Sequence, residues 1–154
     1  MIEVDVRTLR DRVGQEIAVS DWYEVTQAKI DQFANATGDR QWIHVDVARA
    51  QAESPFRATI AHGFLTLSLL SALLREAIQF TGTRMAINYG LNRVRFVSPV
   101  RSGSRVRARF TPAVVEDAGG SIQVTWKVTI EPEGSDKPCC AAEWIVRYYT
   151  RSAV

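Results

Sequence analysis

The side chains best suited to proton transfer lie close together in this sequence. His44 and His62 are its only histidines, and Asp39 lies in the same segment. Histidine titrates near neutral pH, and a nearby carboxylate can orient its ring and tune its pKa. Gly38 is expected to end a helix, which leaves Asp39 and His44 on one short connection facing a common cavity. The pattern predicts an acid–base pair; alternatively, Asp39 caps a turn and His44 is a partly buried polar residue.

A second feature is the pair His62-Gly63, where a long apolar helix is expected to begin. The first backbone N–H groups of a helix lack internal partners and carry partial positive charge. Gly63 lets a ligand carbonyl approach the backbone closely, which suits polarising a thioester oxygen and stabilising an enolate. Two plainer roles stay open: Gly63 relieves crowding between helix and sheet, and His62 holds the helix start by hydrogen bonding.

Other kinds of active site find little support. Cys139 and Cys140 are adjacent and far from the histidines, so they do not form a zinc-ligand pattern. Neighbouring cysteines cannot join distant segments by a disulfide, and we expect two small side chains in a strand. The sequence contains no phosphate-binding glycine loop and no Gly-x-Ser-x-Gly elbow. It therefore predicts no metal site.

Length and composition indicate a single globular domain over residues 1–154. Hydrophobic residues make up 46% of the 154 residues, charged residues 23%, and the formal net charge is +2. This balance argues against nucleic acid or an anionic membrane as the main partner. The N-terminal segment carries charges throughout and lacks the apolar stretch of a secretory signal, so we expect a reducing cytoplasm.

Residues 60–80 form the one long apolar stretch. A membrane span here would place His62, Arg75 and Glu76 in hydrocarbon, so the stretch is predicted to be a core helix. Apolar residues, Phe64 among them, occupy most faces of its helical projection, which predicts burial on nearly all sides.

Shorter elements are expected on either side of this helix. Residues 20–25 form a short strand, Thr26 caps a helix that ends at Gly38, and residues 39–55 form a loop with a helical turn over 47–52. Partly alternating patterns separated by turn signals predict four strands, over residues 86–97, 105–115, 121–131 and 139–149. The simplest packing is an antiparallel meander wrapped around the core helix, an α+β architecture.

Three sequence segments carry a family resemblance. Residues 38–46 (GDRQWIHVD), 61–64 (AHGF) and 88–100 (NYGLNRVRFVSPV) resemble the MaoC-like, R-specific enoyl-CoA hydratases. The resemblance implies a hot-dog fold, a curved antiparallel sheet around one long helix, and a homodimer. It implies that Asp39 and His44 hold one water between them and that the Gly63 N–H holds the thioester oxygen. Ser71 falls where the family has a serine supporting the pair, or is a small residue packed in the core.

The sequence departs from the family at two positions of the catalytic loop. Members usually read Asp-x-Asn-Pro-(Leu/Ile)-His, whereas Gln41 and Trp42 stand here in place of Asn and Pro. Gln41 keeps an amide with a longer reach, and Trp42 adds a bulky ring that could reshape the acyl tunnel. We expect activity to survive, without inferences about acyl chain length.

The predicted function is reversible, R-specific hydration of a trans-2-enoyl thioester, which needs no organic or metal cofactor. Coenzyme A is the expected acyl carrier, with an acyl-carrier-protein thioester as the alternative. Two arginine sets could meet the CoA phosphates, or could simply face solvent; they are Arg93 and Arg95, and Arg105, Arg107 and Arg109. The rival functions are a hot-dog thioesterase and a subunit of a heteromeric acyl-carrier-protein dehydratase.

Overall fold

The computed structural model describes residues 1–150. The strands are β1 (Ile2–Asp5), β2 (Ala18–Val19), β3 (Tyr23–Val25), β4 (Ile78–Thr81), β5 (Thr83–Phe96), β6 (Ser104–Asp117), β7 (Ser121–Pro132) and β8 (Cys140–Thr150). The helices are α1 (Gln27–Thr37), α2 (Trp42–Val45), α3 (Val47–Glu53), α4 (Gly63–Ser68) and α5 (Leu70–Ala77), with a 3-10 helix over Val6–Arg12. The chain has the predicted α+β hot-dog fold, in which a curved antiparallel sheet packs on the central helices.

The four long strands lie where the sequence predicts them, but their order is not a simple meander. β6, β7 and β8 are successive antiparallel neighbours, whereas β5 pairs with β8 at the sheet edge. Alternation along a strand indicates its two faces but not its neighbours, so the order could not be read from the pattern. Of the short strand expected over residues 20–25, only β3 forms; β2 precedes the predicted range, and both strands pair with β6.

The inner face of the sheet forms the core against the helices. Val106, Ala108 and Phe110 alternate along β6 and are fully buried. Trp126 of β7 and Tyr148 of β8 are buried beside them, and the Trp126 Nε1–H donates to the Tyr148 hydroxyl over 3.1 Å. This bond gives each buried polar group a partner, which avoids the cost of an unmade hydrogen bond.

The central helix is shorter than predicted and is interrupted. At the junction of α4 and α5, the Leu69 N–H donates to the Thr66 carbonyl over 3.2 Å, the tighter spacing of a 3-10 turn. The helix ends at Ala77, and the rest of the apolar stretch forms the strand β4. β4 pairs in parallel with β1, and the sequence predicted neither strand. The predicted single helix over residues 60–80 is therefore wrong at both points.

One side of α4 and α5 is also exposed. Leu70, Leu73 and Leu74 are buried, but Phe64 is 71% exposed, which contradicts the predicted burial on nearly all sides. Apolar composition does not by itself distinguish a core position from an exposed apolar surface. Among residues 1–150, the helices are too short or too polar to cross a membrane.

Candidate active site

Helix α1 and its caps position Asp39. As predicted, Thr26 Oγ1 accepts from the Lys29 N–H at the helix start, and Gly38 ends the helix with a φ of 82°. Glycine adopts this left-handed conformation without a Cβ clash. The chain reverses there, and Asp39 Oδ1 accepts a long hydrogen bond of 3.4 Å from the Gln41 N–H at the start of α2. Asp39 thus lies exposed at the end of the turn.

His44 lies on the single turn of α2 and is buried. Its Nδ1 is 2.6 Å from the Ile60 carbonyl oxygen, which can only accept, so Nδ1 carries the proton and Nε2 the lone pair. Burial, together with the nearby His62, lowers the pKa of His44 against the opposing effects of the Ile60 carbonyl and Asp39. His44 is therefore neutral at neutral pH and available as a base.

His62 joins the two members of the predicted pair. It precedes α4, and its Nε2–H donates to the Asp39 carbonyl over 2.9 Å. Its ring stacks on the His44 ring with centroids 3.8 Å apart. His62 makes no side-chain capping bond at the start of α4, in contrast to the expected role in holding the helix start; its hydrogen bond goes to the loop that carries Asp39. Its Nδ1 is buried without a partner within the described part of the chain.

The carboxylate of Asp39 and one ring nitrogen from each of His44 and His62 lie within 4.8 Å of one another. This spacing lets one water molecule hydrogen-bond to both Asp39 and His44. Each histidine uses one ring nitrogen on a backbone carbonyl and keeps the other for a water molecule or an ion. The two rings are stacked at an interplanar angle of 24°.

His44 opens onto a cavity of about 320 Å³ that Gly63 also lines. Gly63 is the first residue of α4, where the backbone N–H has no partner within the helix. A Cβ added there would lie 2.9 Å from the Phe96 ring, so a larger residue is excluded unless the ring moves. Both roles considered for Gly63, close approach of a ligand and relief of crowding, fit this geometry. The remaining lining is Phe56, Ile60, Ala61, Thr66, Phe96, Val97, Ser98, Pro99, Val100 and Cys139.

Ser71 does not lie in this cavity. It lines two other cavities between α5 and β5, of about 730 and about 320 Å³, together with Asn88 and Trp144. The structure thus brings together Asp39, His44 and Gly63 within one chain and places Ser71 apart from them. The cavity of about 730 Å³ is accordingly not the one that His44 lines, and Asp39 lies outside the lining of the His44 cavity.

The two unusual loop residues lie outside the His44 cavity. Trp42 stacks under the guanidinium of Arg49, with 4.3 Å from Arg49 Cζ to the ring centroid. Gln41 is exposed and makes no side-chain hydrogen bond to the start of α2. The prediction that Trp42 reshapes the acyl tunnel therefore finds no support in the lining of this cavity.

The arginines of β6 are occupied by carboxylates on the outer face of the sheet. The four ion pairs are Arg105–Glu133, Arg107–Glu131, Arg109–Glu131 and Arg109–Glu16. Arg93 and Arg95, exposed on β5, have no such ion pair within residues 1–150. Of the two arginine sets, the one on β6 is engaged in ion pairs and the one on β5 is not, within the described residues.

Sequence reasoning missed the side chains that hold the His44 segment. Gln27 donates to the His44 carbonyl and accepts from Thr59, which precedes the Ile60 carbonyl that binds His44. Spacing gave no signal for these residues, because Gln27 and Thr59 are 32 positions apart in the chain. Only the fold brings them together.

Comparison with known proteins shows the family of the chain. The family described as MaoC like domain matches residues 8–132. The protein named 3-hydroxyacyl-thioester dehydratase Z from Mycobacterium tuberculosis is 53% identical over 144 residues, covering 93% of this chain and 95% of that protein.

Two solved structures are similar in fold. The monoamine oxidase regulatory protein from Archaeoglobus fulgidus matches with a TM-score of 0.78 and 22% identity, covering 98% of this chain and 97% of that one. The (R)-hydratase from A. caviae matches with a TM-score of 0.67 and 26% identity, covering 87% and 94%. The family match spans most of this chain, and a relative matched over nearly its full length shares half of the residues of this chain. The chain therefore belongs to the MaoC-like dehydratases and is a hydro-lyase.

Proposed function

We propose that this protein adds water reversibly to a trans-2-enoyl thioester and forms an (R)-3-hydroxyacyl thioester. The observation that carries the proposal is a neutral, buried His44 beside the Asp39 carboxylate, in a cavity that Gly63 also lines. The relative named 3-hydroxyacyl-thioester dehydratase Z supports the reaction class, and the A. caviae (R)-hydratase supports the stereochemistry.

In the hydration direction, Asp39 orients the water and His44 Nε2 takes its proton as the oxygen attacks the β-carbon. Negative charge moves to the thioester oxygen, where the Gly63 N–H donates a hydrogen bond worth about 3 kcal/mol. The proton then returns through the same pair to the α-carbon. Because α4 has only 6 residues, we assign this stabilisation to the amide itself and not to a helix dipole.

For the acyl carrier we propose coenzyme A, with Arg93 and Arg95 as the candidate phosphate contacts. Both are exposed on β5, the strand that ends at Phe96 beside the His44 cavity. Arginine forks match phosphate oxygens well. An acyl-carrier-protein phosphopantetheine thioester remains the alternative carrier for the same chemistry.

We further propose that the protein acts as a homodimer joined along β5. This strand is the edge of the sheet, and a row of exposed apolar side chains lies along it: Met85, Ile87, Tyr89 and Leu91. A long apolar edge strand left uncovered is prone to pair with another chain. In this arrangement Ser71 contributes to substrate binding from the adjoining cavities and not by contact with His44 of its own chain.

A reducing cytoplasm is the location we propose. Cys139 and Cys140 are free and buried. Burial raises the pKa of Cys139 to about 12 and that of Cys140 to about 11, so both stay protonated and inert. They serve as small core side chains.

The direct test is to follow loss of the conjugated enoyl-thioester absorbance with a short trans-2-enoyl-CoA. We expect turnover by the wild type, an R product by chiral analysis, and losses of about a hundredfold or more for folded Asp39→Asn and His44→Gln variants. Asp46→Asn is the matched control, since Asp46 caps α3 by accepting from the Arg49 N–H. Release of free thiol without hydration would indicate a thioesterase instead.

A further inference from the structure

Gln27, the first residue of α1, makes a complete set of hydrogen bonds around the His44 segment. Its Nε2 donates to the His44 carbonyl over 2.8 Å and to Asp31 Oδ1 over 2.9 Å. Its Oε1 accepts from the Thr59 hydroxyl over 2.5 Å. The amide orientation is determined by its surroundings, because two acceptors face the NH₂ group and a donor faces the oxygen.

Thr59 connects this amide to the carbonyl that fixes the His44 ring. The side chain of Thr59 is only 2% exposed, and the next residue, Ile60, supplies the oxygen that accepts from His44 Nδ1–H. The Ile60 N–H in turn donates to the Ile43 carbonyl over 3.0 Å. The segment that carries Ile60 is thus bound to the His44 turn twice, once through the Ile43 carbonyl and once through the His44 ring.

From these contacts we infer that Gln27 and Thr59 form a positioning pair that holds His44 in its Nδ1–H tautomer. Neither side chain contacts the reacting atoms. They hold the Ile60 carbonyl at the distance where it binds the Nδ1 proton, which leaves the Nε2 lone pair for the substrate water. The inference rests on the proposed function only for its effect on rate, because the tautomer of His44 can be measured without any substrate.

The pair matters because a neutral imidazole has one proton for two nitrogens. If the Ile60 carbonyl moves away, the proton is free to occupy Nε2 and the lone pair then points into the backbone. The general base is lost in that fraction of molecules although the fold is intact. Removing the Thr59 hydroxyl also leaves the Gln27 oxygen without its donor, which favours rotation of the amide away from the His44 carbonyl.

The test compares Thr59→Val, which removes the hydroxyl at nearly constant volume, with Thr59→Ser, which keeps it. Imidazole ¹⁵N shifts report the tautomer of His44, and the signal of His62 is identified with a His62→Gln variant. We expect the Nδ1–H form in the wild type and in Thr59→Ser, and a mixture of both tautomers in Thr59→Val. In the hydration assay we expect kcat of Thr59→Val to fall about tenfold or more with KM nearly unchanged, as for a misplaced catalytic group.

Thr125→Val is the matched control, because Thr125 is a buried threonine on β7 away from the site. It should leave the His44 tautomer and kcat as in the wild type. If Thr59→Val does not fold, Gln27→Leu tests the same pair from the less buried partner. An unchanged Nδ1–H tautomer in a folded Thr59→Val or Gln27→Leu protein overturns the inference. If the tautomer of His44 changes in Thr59→Val but the wild type itself has no hydratase activity, the inference is supported and the proposed function is rejected.

Discussion

At the scale of single residues, the proposed mechanism assigns different tasks to the two histidines. His44 keeps a lone pair because its other nitrogen is bound to the Ile60 carbonyl, and burial keeps it neutral. His62 stacks on it and holds the Asp39 carbonyl. In the proposed mechanism His44 transfers protons, and His62 contacts both His44 and the loop that carries Asp39.

The lowered pKa of His44 predicts a specific pH dependence. Because the base works in its neutral form, the acidic limb of kcat/KM should have its midpoint below 6.5, the ordinary histidine value. The free energy of unfolding should depend on pH in the same direction. Because the unfolded chain binds the His44 proton more readily than the folded chain, the stabilisation from neutral His44 is fully present above pH 6.5. It is lost as the pH falls below that value. NMR titration of the ring protons measures the pKa directly.

A His62→Gln variant separates the causes of this shift. The glutamine keeps a donor for the Asp39 carbonyl but removes the nearby ionisable ring, which is one of the causes that lower the pKa of His44. We expect the pKa of His44 to rise in this variant and to stay below 6.5, because burial is the larger cause. A wild-type midpoint above 6.5 would contradict the assignment of a buried, neutral base.

At the scale of elements, the start of α4 meets the end of β5 at the site. Gly63 lies under the Phe96 ring, whose own exposure of 47% shows that it has room to move outward. The helix start and the strand end thus share one wall of the His44 cavity. Glycine at this position serves packing, ligand approach, or both.

Combining Gly63→Ala with Phe96→Ala distinguishes these two roles. Gly63→Ala alone should lose about 1–3 kcal/mol of stability through overpacking against the ring. It should also lose about a hundredfold in kcat/KM if the methyl blocks the thioester oxygen from the amide. We expect the double variant to recover the melting temperature but not kcat/KM, relative to Phe96→Ala as the control. Recovery of both would show that Gly63 serves packing only.

At the scale of the whole molecule, β5 is the long strand that lies at an edge of the sheet. β6, β7 and β8 are paired on both sides, whereas β5 has β8 on one side only. Its side chains are mostly exposed, in contrast to the alternating burial of β6. The same strand borders the cavities that Ser71 lines, so the proposed second subunit would lie next to these cavities.

Charge placed on this edge should separate the proposed subunits. We expect the wild type to show twice the 17.2 kDa mass of one chain by light scattering, and an Ile87→Lys, Leu91→Lys variant to approach the mass of one chain. Val114→Lys is the control, since Val114 is an exposed apolar residue on β6. A monomeric wild type, or a double variant that stays dimeric, would contradict joining along β5.

Local signals determined much of this protein from its sequence. Neighbouring residues determine the Thr26 and Gly38 caps, the alternating pattern of the long strands and the helical turn over residues 47–52, so these were predictable where they occur. The turn α2, which carries His44, was not predicted within the loop expected over residues 39–55. The pairing of β5 with β8, the end of the helix at Ala77 and the contact of Gln27 with Thr59 depend on residues distant in sequence. Only the tertiary structure decided these, together with the neutral state of His44, because burial and a backbone carbonyl from another segment determine its pKa and its tautomer.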